Sequence, residues 1–330
     1  MRFDWIATAL SLIFLGGLYL DGWAHTHGRV DDTFFTPWHA VLYSGFFALA
    51  ALLLGYAVWR IARGARWRDA LPDGYGLSLV GVALWFVGGP FDMAWHSLFG
   101  FEANVEALLS PAHTVLALGA ALMTSGPLRA ALRRPAARWR DELPMLLSLT
   151  CVVSNVTFFT QIAHPLANLW AAGPGRSSSD ITELGIVSML LTTVILTAPL
   201  LLLLRQGRLP FGAVTIMLGL NCVATGVLFD HGPYPIVPVI AMVVAAIAGD
   251  GLRAALRPSA RRPAAFRWFA LGVPTLLHAA YFAALALTAG IGYSPHLWMG
   301  VVVFSGVVGW LLSYLVLPPR GAVTREAATV

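Results

Sequence analysis

Long apolar runs separated by short polar stretches repeat along the whole chain. A helix needs about 20 apolar residues to cross the hydrocarbon core of a bilayer. Runs near that length cover residues 5–20, 38–61, 76–91, 112–123, 143–162, 181–204, 211–229, 236–248, 268–289 and 297–317. The third, fourth and eighth are short and must borrow from their flanks. The pattern predicts an all-α, polytopic integral membrane helix bundle of about ten transmembrane helices. The first window reads as a retained span. Gly22 and Ala24 would satisfy a small-x-small cleavage rule and leave His25 as an amino terminus, but Asp21 and Trp23 are poor residues beside a cleavage site.

Composition agrees with a bilayer solvent. Of 330 residues, 58% are hydrophobic and 11% charged, whereas soluble domains carry roughly a quarter charged residues. The arginines alternate between loops. Arg60, Arg63, Arg66 and Arg68 fall in one, Arg129, Arg133, Arg134, Arg138 and Arg140 in the next but one, then Arg205 and Arg208, then Arg253, Arg257, Arg261, Arg262 and Arg267. Arg2, Arg320 and Arg325 join that side, and only Arg29 and Arg176 oppose it. Arginine excess marks the cytoplasmic face, so both termini are expected inside, in the cell's inner membrane. The net charge of +5 then reports topology and contact with anionic lipid. Nucleic acid is not an expected partner, because the basic residues sit in short separate loops. Cys151 and Cys222 fall inside apolar windows and read as small buried residues.

The polar residues inside the apolar pattern carry the candidate chemistry. Asp21-x3-His25 is followed by Thr36-Pro37-x-His39, and Asp92-x3-His96 by Ser110-Pro111-x-His113. Residues four apart share a helix face, so each Asp and its first His point the same way. Ser or Thr before Pro is a helix-start signal, with the hydroxyl at the N-cap and Pro at the first helical position. That puts His39 and His113 in the first turn of a returning helix. Each hairpin then turns one carboxylate and two imidazoles toward one another, a three-ligand metal site made twice. Interfacial polarity is the bland alternative; the equal spacing in both copies and the cost of ionisable groups at membrane depth argue against it.

Two imidazoles and a carboxylate suit copper, zinc or non-haem iron. Asp32 is the candidate for a carboxylate that orients a ligating imidazole, with His27 and Asp31 as solvated loop residues. His164 is expected to end the fifth helix, Asp230-His231 the seventh, and Ser294-Pro295-His296 to open the tenth. His164, His231 and His296 read as structural, and His278, at mid-depth, as a helix–helix hydrogen-bonding residue. Trp23, Trp38 and Trp95 read equally as interface anchors or as walls of an apolar pocket. Residues 1–125 thus form a metal-site region of four helices, and 126–330 six further helices of unassigned role.

The stretch DGWAHTHGRVDDTFFTPWHAVLYSGF resembles the metal-binding segment of the C subunit of copper membrane monooxygenases, the particulate methane and ammonia monooxygenases. The shared positions are Asp21, His25, Asp32-Thr33 and Phe35-Thr36-Pro37-Trp38-His39. The second copy is similar to that subunit's next helix pair, with Asp92 standing where the family has asparagine, and His96 and His113 matching its two histidines. The likeness spans roughly residues 15–125, about a third of the chain. It implies copper at both sites, on the extracytoplasmic side, and a copper-dependent, monooxygenase-like oxidoreductase component that oxidises small apolar molecules with dioxygen. It also implies other membrane subunits and an electron donor. Three other functions fit the residues. One is a zinc-dependent membrane hydrolase with Asp32 or Asp230 as base. Another is a b-type haem electron carrier with two histidine ligands. The last is a metal-transport protein, for which only His278, Asn155 and Asn221 approach the midplane.

Overall fold

The computed structural model describes residues 2–29, 36–100, 108–136, 138–173, 179–229 and 236–319. Among these, the chain is helical throughout, with isolated β-bridges instead of strands. The helices are α1 (Arg2–Thr26), α2 (Pro37–Ala62), α3 (Gly76–Phe99), α4 (Pro111–Thr124), α5 (Gly126–Leu132) and α6 (Trp139–Phe159). After them come α7 (Pro165–Asn168), α8 (Ser179–Arg205), α9 (Leu220–Leu228), α10 (Ile236–Leu256), α11 (Pro263–Leu287) and α12 (Pro295–Val316).

Eight of these helices are long and apolar enough to cross a membrane. The fourth apolar window becomes two helices, α4 and α5, bent by 45° at Ser125, and counting that pair as one span gives nine. The seventh window forms a helix over Thr215–Leu228 that opens with a π-helical turn at Thr215–Gly219. At 1.5 Å per residue, its length falls short of the roughly 30 Å hydrocarbon core. The fifth window ends sooner than its hydropathy suggests. Helix α6 stops at Phe159, and His164 lies beyond it as the cap of the four-residue α7. Pro165 keeps His164 itself out of helical backbone, since proline disfavours it in the residue before.

Helices α1 and α2 pack as one antiparallel hairpin, α3 and α4 as another, and α11 with both α10 and α12. Small residues let the backbones close. A Cβ on Gly17 would lie 2.5 Å from Leu42 Cα, and one on Gly81 2.4 Å from Met123 N. Such close approach is how helices associate where lipid removes any hydrophobic driving force. Two apolar cores result. One gathers Phe14, Leu18, Phe46, Leu49, Trp85 and Met123 from the first two hairpins. The other gathers residues of α8, α10, α11 and α12.

Helix α6 is the spine between them, its residues Cys151, Phe158 and Phe159 facing the first core and Met145, Leu146 and Leu149 the second. Polar bonds tie it to its neighbours. Asn155 Nδ2 donates to Ala117 O at 3.0 Å, Tyr19 Oη to Ser154 O at 2.9 Å, and Asn221 Nδ2 to Thr157 Oγ1 at 3.0 Å. Asn155 and Asn221 thus join helices through these bonds.

The arginine-rich end is internally paired. Arg208 meets Glu142 through two nitrogens, with Nη2 at 2.6 Å from Oε1 and Nε at 3.1 Å from Oε2, both side chains buried. Arg134 reaches Asp4 at 3.0 Å, and Tyr75 donates to the same carboxylate at 2.8 Å. Burial, and then the Asp4 charge, push the Tyr75 phenol far above its ordinary range.

Candidate metal centre

Each site starts from a helix end. Asp21 and His25 fall in the last turns of α1, and Asp92 and His96 near the end of α3, so both pairs stand one turn apart on one face. The returning helices begin as their sequences dictate. Thr36 Oγ1 accepts from His39 N at 3.1 Å ahead of Pro37, and Ser110 Oγ accepts from His113 N at 3.2 Å ahead of Pro111. Such caps contribute about 1 kcal/mol each. They also fix which residue of the first turn faces back across the hairpin.

In the first site His39 Nε2 lies 3.4 Å from Asp21 Oδ1, and His25 Nε2 3.8 Å from Asp21 Oδ2. In the second, His96 Nε2 and His113 Nε2 lie 3.4 Å and 3.6 Å from Asp92 Oδ1. The candidate ligand atoms of each trio all fall within 4.8 Å of one another. Among the described residues these two trios are the groups of three or more metal-ligating side chains. A charge-assisted N–H···O bond is about 2.7–2.9 Å long, so the pairs are too far apart for one. Two ligands of a tetrahedral ion, each about 2.1 Å from it, sit about 3.4 Å apart. The spacing fits a shared ion.

Proton placement sharpens this at the second site. His96 Nδ1 lies 3.3 Å from Gly100 O. A carbonyl oxygen only accepts, so in neutral His96 the proton is on Nδ1 and Nε2 presents its lone pair toward Asp92. Asp92 Oδ1 is buried and has no hydrogen-bond donor. In that neutral tautomer the Nε2 lone pair faces Asp92 Oδ1 across 3.4 Å, an arrangement that a cation between them would relieve. Ser110 Oγ, 2.9 Å from His113 Nδ1, steadies the other ring. The donor set and the orphaned carboxylate oxygen both fit a transition-metal ion.

The two sites share one end of the bundle. The Asp21 carboxylate lies within electrostatic reach of His113, and the Tyr43 hydroxyl within reach of both Asp21 and Asp92. Tyr43 sits one turn below His39, its ring edge-on to that imidazole at 6.1 Å between centroids. A Cβ on Gly89 of α3 would lie 3.4 Å from its oxygen. Sequence spacing did not single out Tyr43; its i+4 offset from His39 was the available signal.

Aromatic rings flank both sites. Trp23 and Trp38 meet edge-to-face at 5.9 Å, and Trp38 Nε1 donates to Arg29 O at 3.0 Å. On α3, Phe91, Trp95 and Phe99 form a ladder with centroid spacings of 6.0 Å and 4.5 Å. Phe91, Leu98 and Phe99 are exposed to the surroundings of the bundle. A surface cleft of about 530 Å³ lies at the opposite end against Trp67, Pro72 and Arg133 and touches neither trio.

The other predicted residues divide. His27 stacks on Trp23 at 4.6 Å and bonds Trp23 O through Nδ1 at 2.8 Å, beside the first site without joining its trio. His296 is exposed at the start of α12. His278 is fully buried in α11, and Cys151 and Cys222 are buried free thiols. Asp31, Asp32, Asp230 and His231 lie outside the described residues. Compared with protein families, with curated proteins and with solved structures, the chain matches none.

Proposed function

We propose that this chain is a copper-binding integral membrane protein related to the monooxygenase C subunit, with one ion held by Asp21, His25 and His39 and a second by Asp92, His96 and His113. The observation that carries the metal reading is Asp92 Oδ1, buried without a donor and flanked by two imidazole nitrogens at 3.4 and 3.6 Å. Copper is chosen within that reading because nitrogen and oxygen donors bind it more tightly than the other first-row divalent ions, and because of the sequence resemblance. The arginine distribution supports an extracytoplasmic position for both sites. Counting the bent α4–α5 pair as one span and Thr215–Leu228 as a short, incomplete one would give ten; an even number would put both termini on one face, and the arginine distribution supports the cytoplasmic one.

Bound copper would supply redox chemistry with dioxygen. The chain's own contribution is to fix two imidazoles and one carboxylate per ion and to hold the His96 proton on Nδ1, away from the ion. The exposed aromatic face of α3 beside Asp92 and His96 suits a small apolar substrate arriving through lipid. Electrons would come from a partner subunit or donor.

No observation favours the zinc hydrolase, whose candidate bases Asp32 and Asp230 lie outside the described residues. Among the described residues the buried imidazoles are His164 and His278, and a bis-histidine haem between them is disfavoured because His164 Nδ1 already accepts the Leu166 amide. Its remaining nitrogen therefore carries the proton.

The test is metal analysis of full-length protein purified in mild detergent. The native chain should hold two copper equivalents with a nitrogen-rich paramagnetic resonance signal, and His39→Ala and His113→Ala should each lose one. Equal metal content in all three would defeat the ligand assignment. Two equivalents of redox-silent zinc would keep the ligands and defeat the oxidative function.

A further inference from the structure

The connection between α6 and α8 carries a second polar locus, independent of the metal trios. Its residues Gln161, His164, Pro165, Leu166 and Ala167 are buried although most of this stretch is not regular α-helix. Thr192, thirteen residues into α8, donates from Oγ1 to Ala163 O at 2.8 Å. At 1.5 Å per residue that contact lies about 20 Å from the start of α8, so the segment dips between the helices. Irregular backbone at such depth is tolerated where protein buries it or where it lines a polar cavity. Helix α11 closes over it. Tyr281 Oη donates to Pro165 O at 3.2 Å, and His278, one turn away, lies within electrostatic reach of His164.

The backbone settles both tautomers. His164 Nδ1 accepts from Leu166 N at 3.2 Å, and an amide N–H only donates, so the His164 proton is on Nε2. His278 Nδ1 lies 3.0 Å from Pro274 O, which only accepts, so its proton is on Nδ1 and its Nε2 carries the lone pair. Both Nε2 atoms are buried, and neither has a hydrogen-bond partner. One is a donor and the other an acceptor. Ser188 Oγ and Ser305 Oγ are also buried without partners. They lie nine and ten residues into α8 and α12, and His278 lies nine residues from the end of α11. Each lies about 14 Å along its own helix from the end nearest the connection.

We infer that a single neutral molecule with a donor and an acceptor on one atom, a water in its simplest form, bridges His164 Nε2 and His278 Nε2 between α7 and α11. Buried waters are found where polar groups lack protein partners, and here the two groups are of opposite sense. A cation is excluded by the same proton count, since only the His278 nitrogen offers a lone pair. The second half of the bundle therefore holds an uncharged polar site, unlike the two acid–imidazole trios.

The test uses the full chain in lipid nanodiscs. A high-resolution density map should show one isolated peak within hydrogen-bonding distance of both Nε2 atoms. Nitrogen-15 spectra of labelled histidine should place the proton on Nε2 of His164 and Nδ1 of His278. The His164→Gln/His278→Gln double variant should keep the native metal content. A direct contact between the nitrogens, an empty gap, a peak of metal height, reversed tautomers or a lost metal equivalent would each overturn the inference. If the double variant does not fold, the map and the spectra of the native chain decide.

Discussion

At Asp92 the protein keeps a buried carboxylate oxygen without a donor, beside an imidazole that, when neutral with its proton toward Gly100 O, turns its lone pair to it. Asp92→Asn should relieve this in the metal-free protein, because an amide N–H can donate to His96. The metal-free melting temperature should then hold or rise, while copper affinity at the second site falls by about tenfold or more; titrating both forms with copper measures the two effects. Ser110→Ala loses the helix cap and the partner of the His113 ring together. Affinity at the second site should drop about 10–100-fold and stability by about 1 kcal/mol, and Ser110→Thr should restore both.

At the scale of elements, the metal sites depend on how closely each hairpin closes. Gly17 and Asp21 are one turn apart on α1, and a Cβ on Gly17 would meet the α2 backbone at Leu42. Gly17→Leu should spread the hairpin, at a cost of about 1–3 kcal/mol for overpacking, and draw Asp21 away from His39. Gly16 has nothing within 4 Å of its Cβ position, so Gly16→Leu is the matched control. Metal analysis should find one equivalent lost in the first variant and none in the second. Loss of both equivalents in Gly17→Leu would mean that the two sites stand or fall together.

Across the whole molecule, one end gathers the trios and the other gathers paired charges. The buried Arg208–Glu142 pair joins the start of α6 to the loop after α8. Removing one partner leaves an uncompensated buried charge, which costs about 3–5 kcal/mol. Glu142→Gln should lower the melting temperature sharply. The Glu142→Gln/Arg208→Met double variant should lose less, and equal losses in both would show that the pair itself, not its imbalance, sets the stability. Neither change should alter metal content, because both residues lie at the far end from the trios.

Much of this was legible in the residues themselves. Apolar run length dictates membrane-spanning helices because the hydrocarbon core leaves backbone groups no other partner. Asp-x3-His and Ser/Thr-Pro-x-His are local patterns, and local backbone geometry alone puts each pair on one face and each N-cap at its place. Other features came only with the tertiary structure. Helix α6 ends at Phe159 although hydropathy continues past it, and His164 is seated beyond it as the cap of α7. The bend at Ser125 and the π turn before α9 answer to packing that no single segment encodes. The approach of the two trios through Tyr43, and of His164 to His278, joins residues far apart in the chain. Periodicity reports which face of a helix is polar; only the packed bundle decides which polar faces meet.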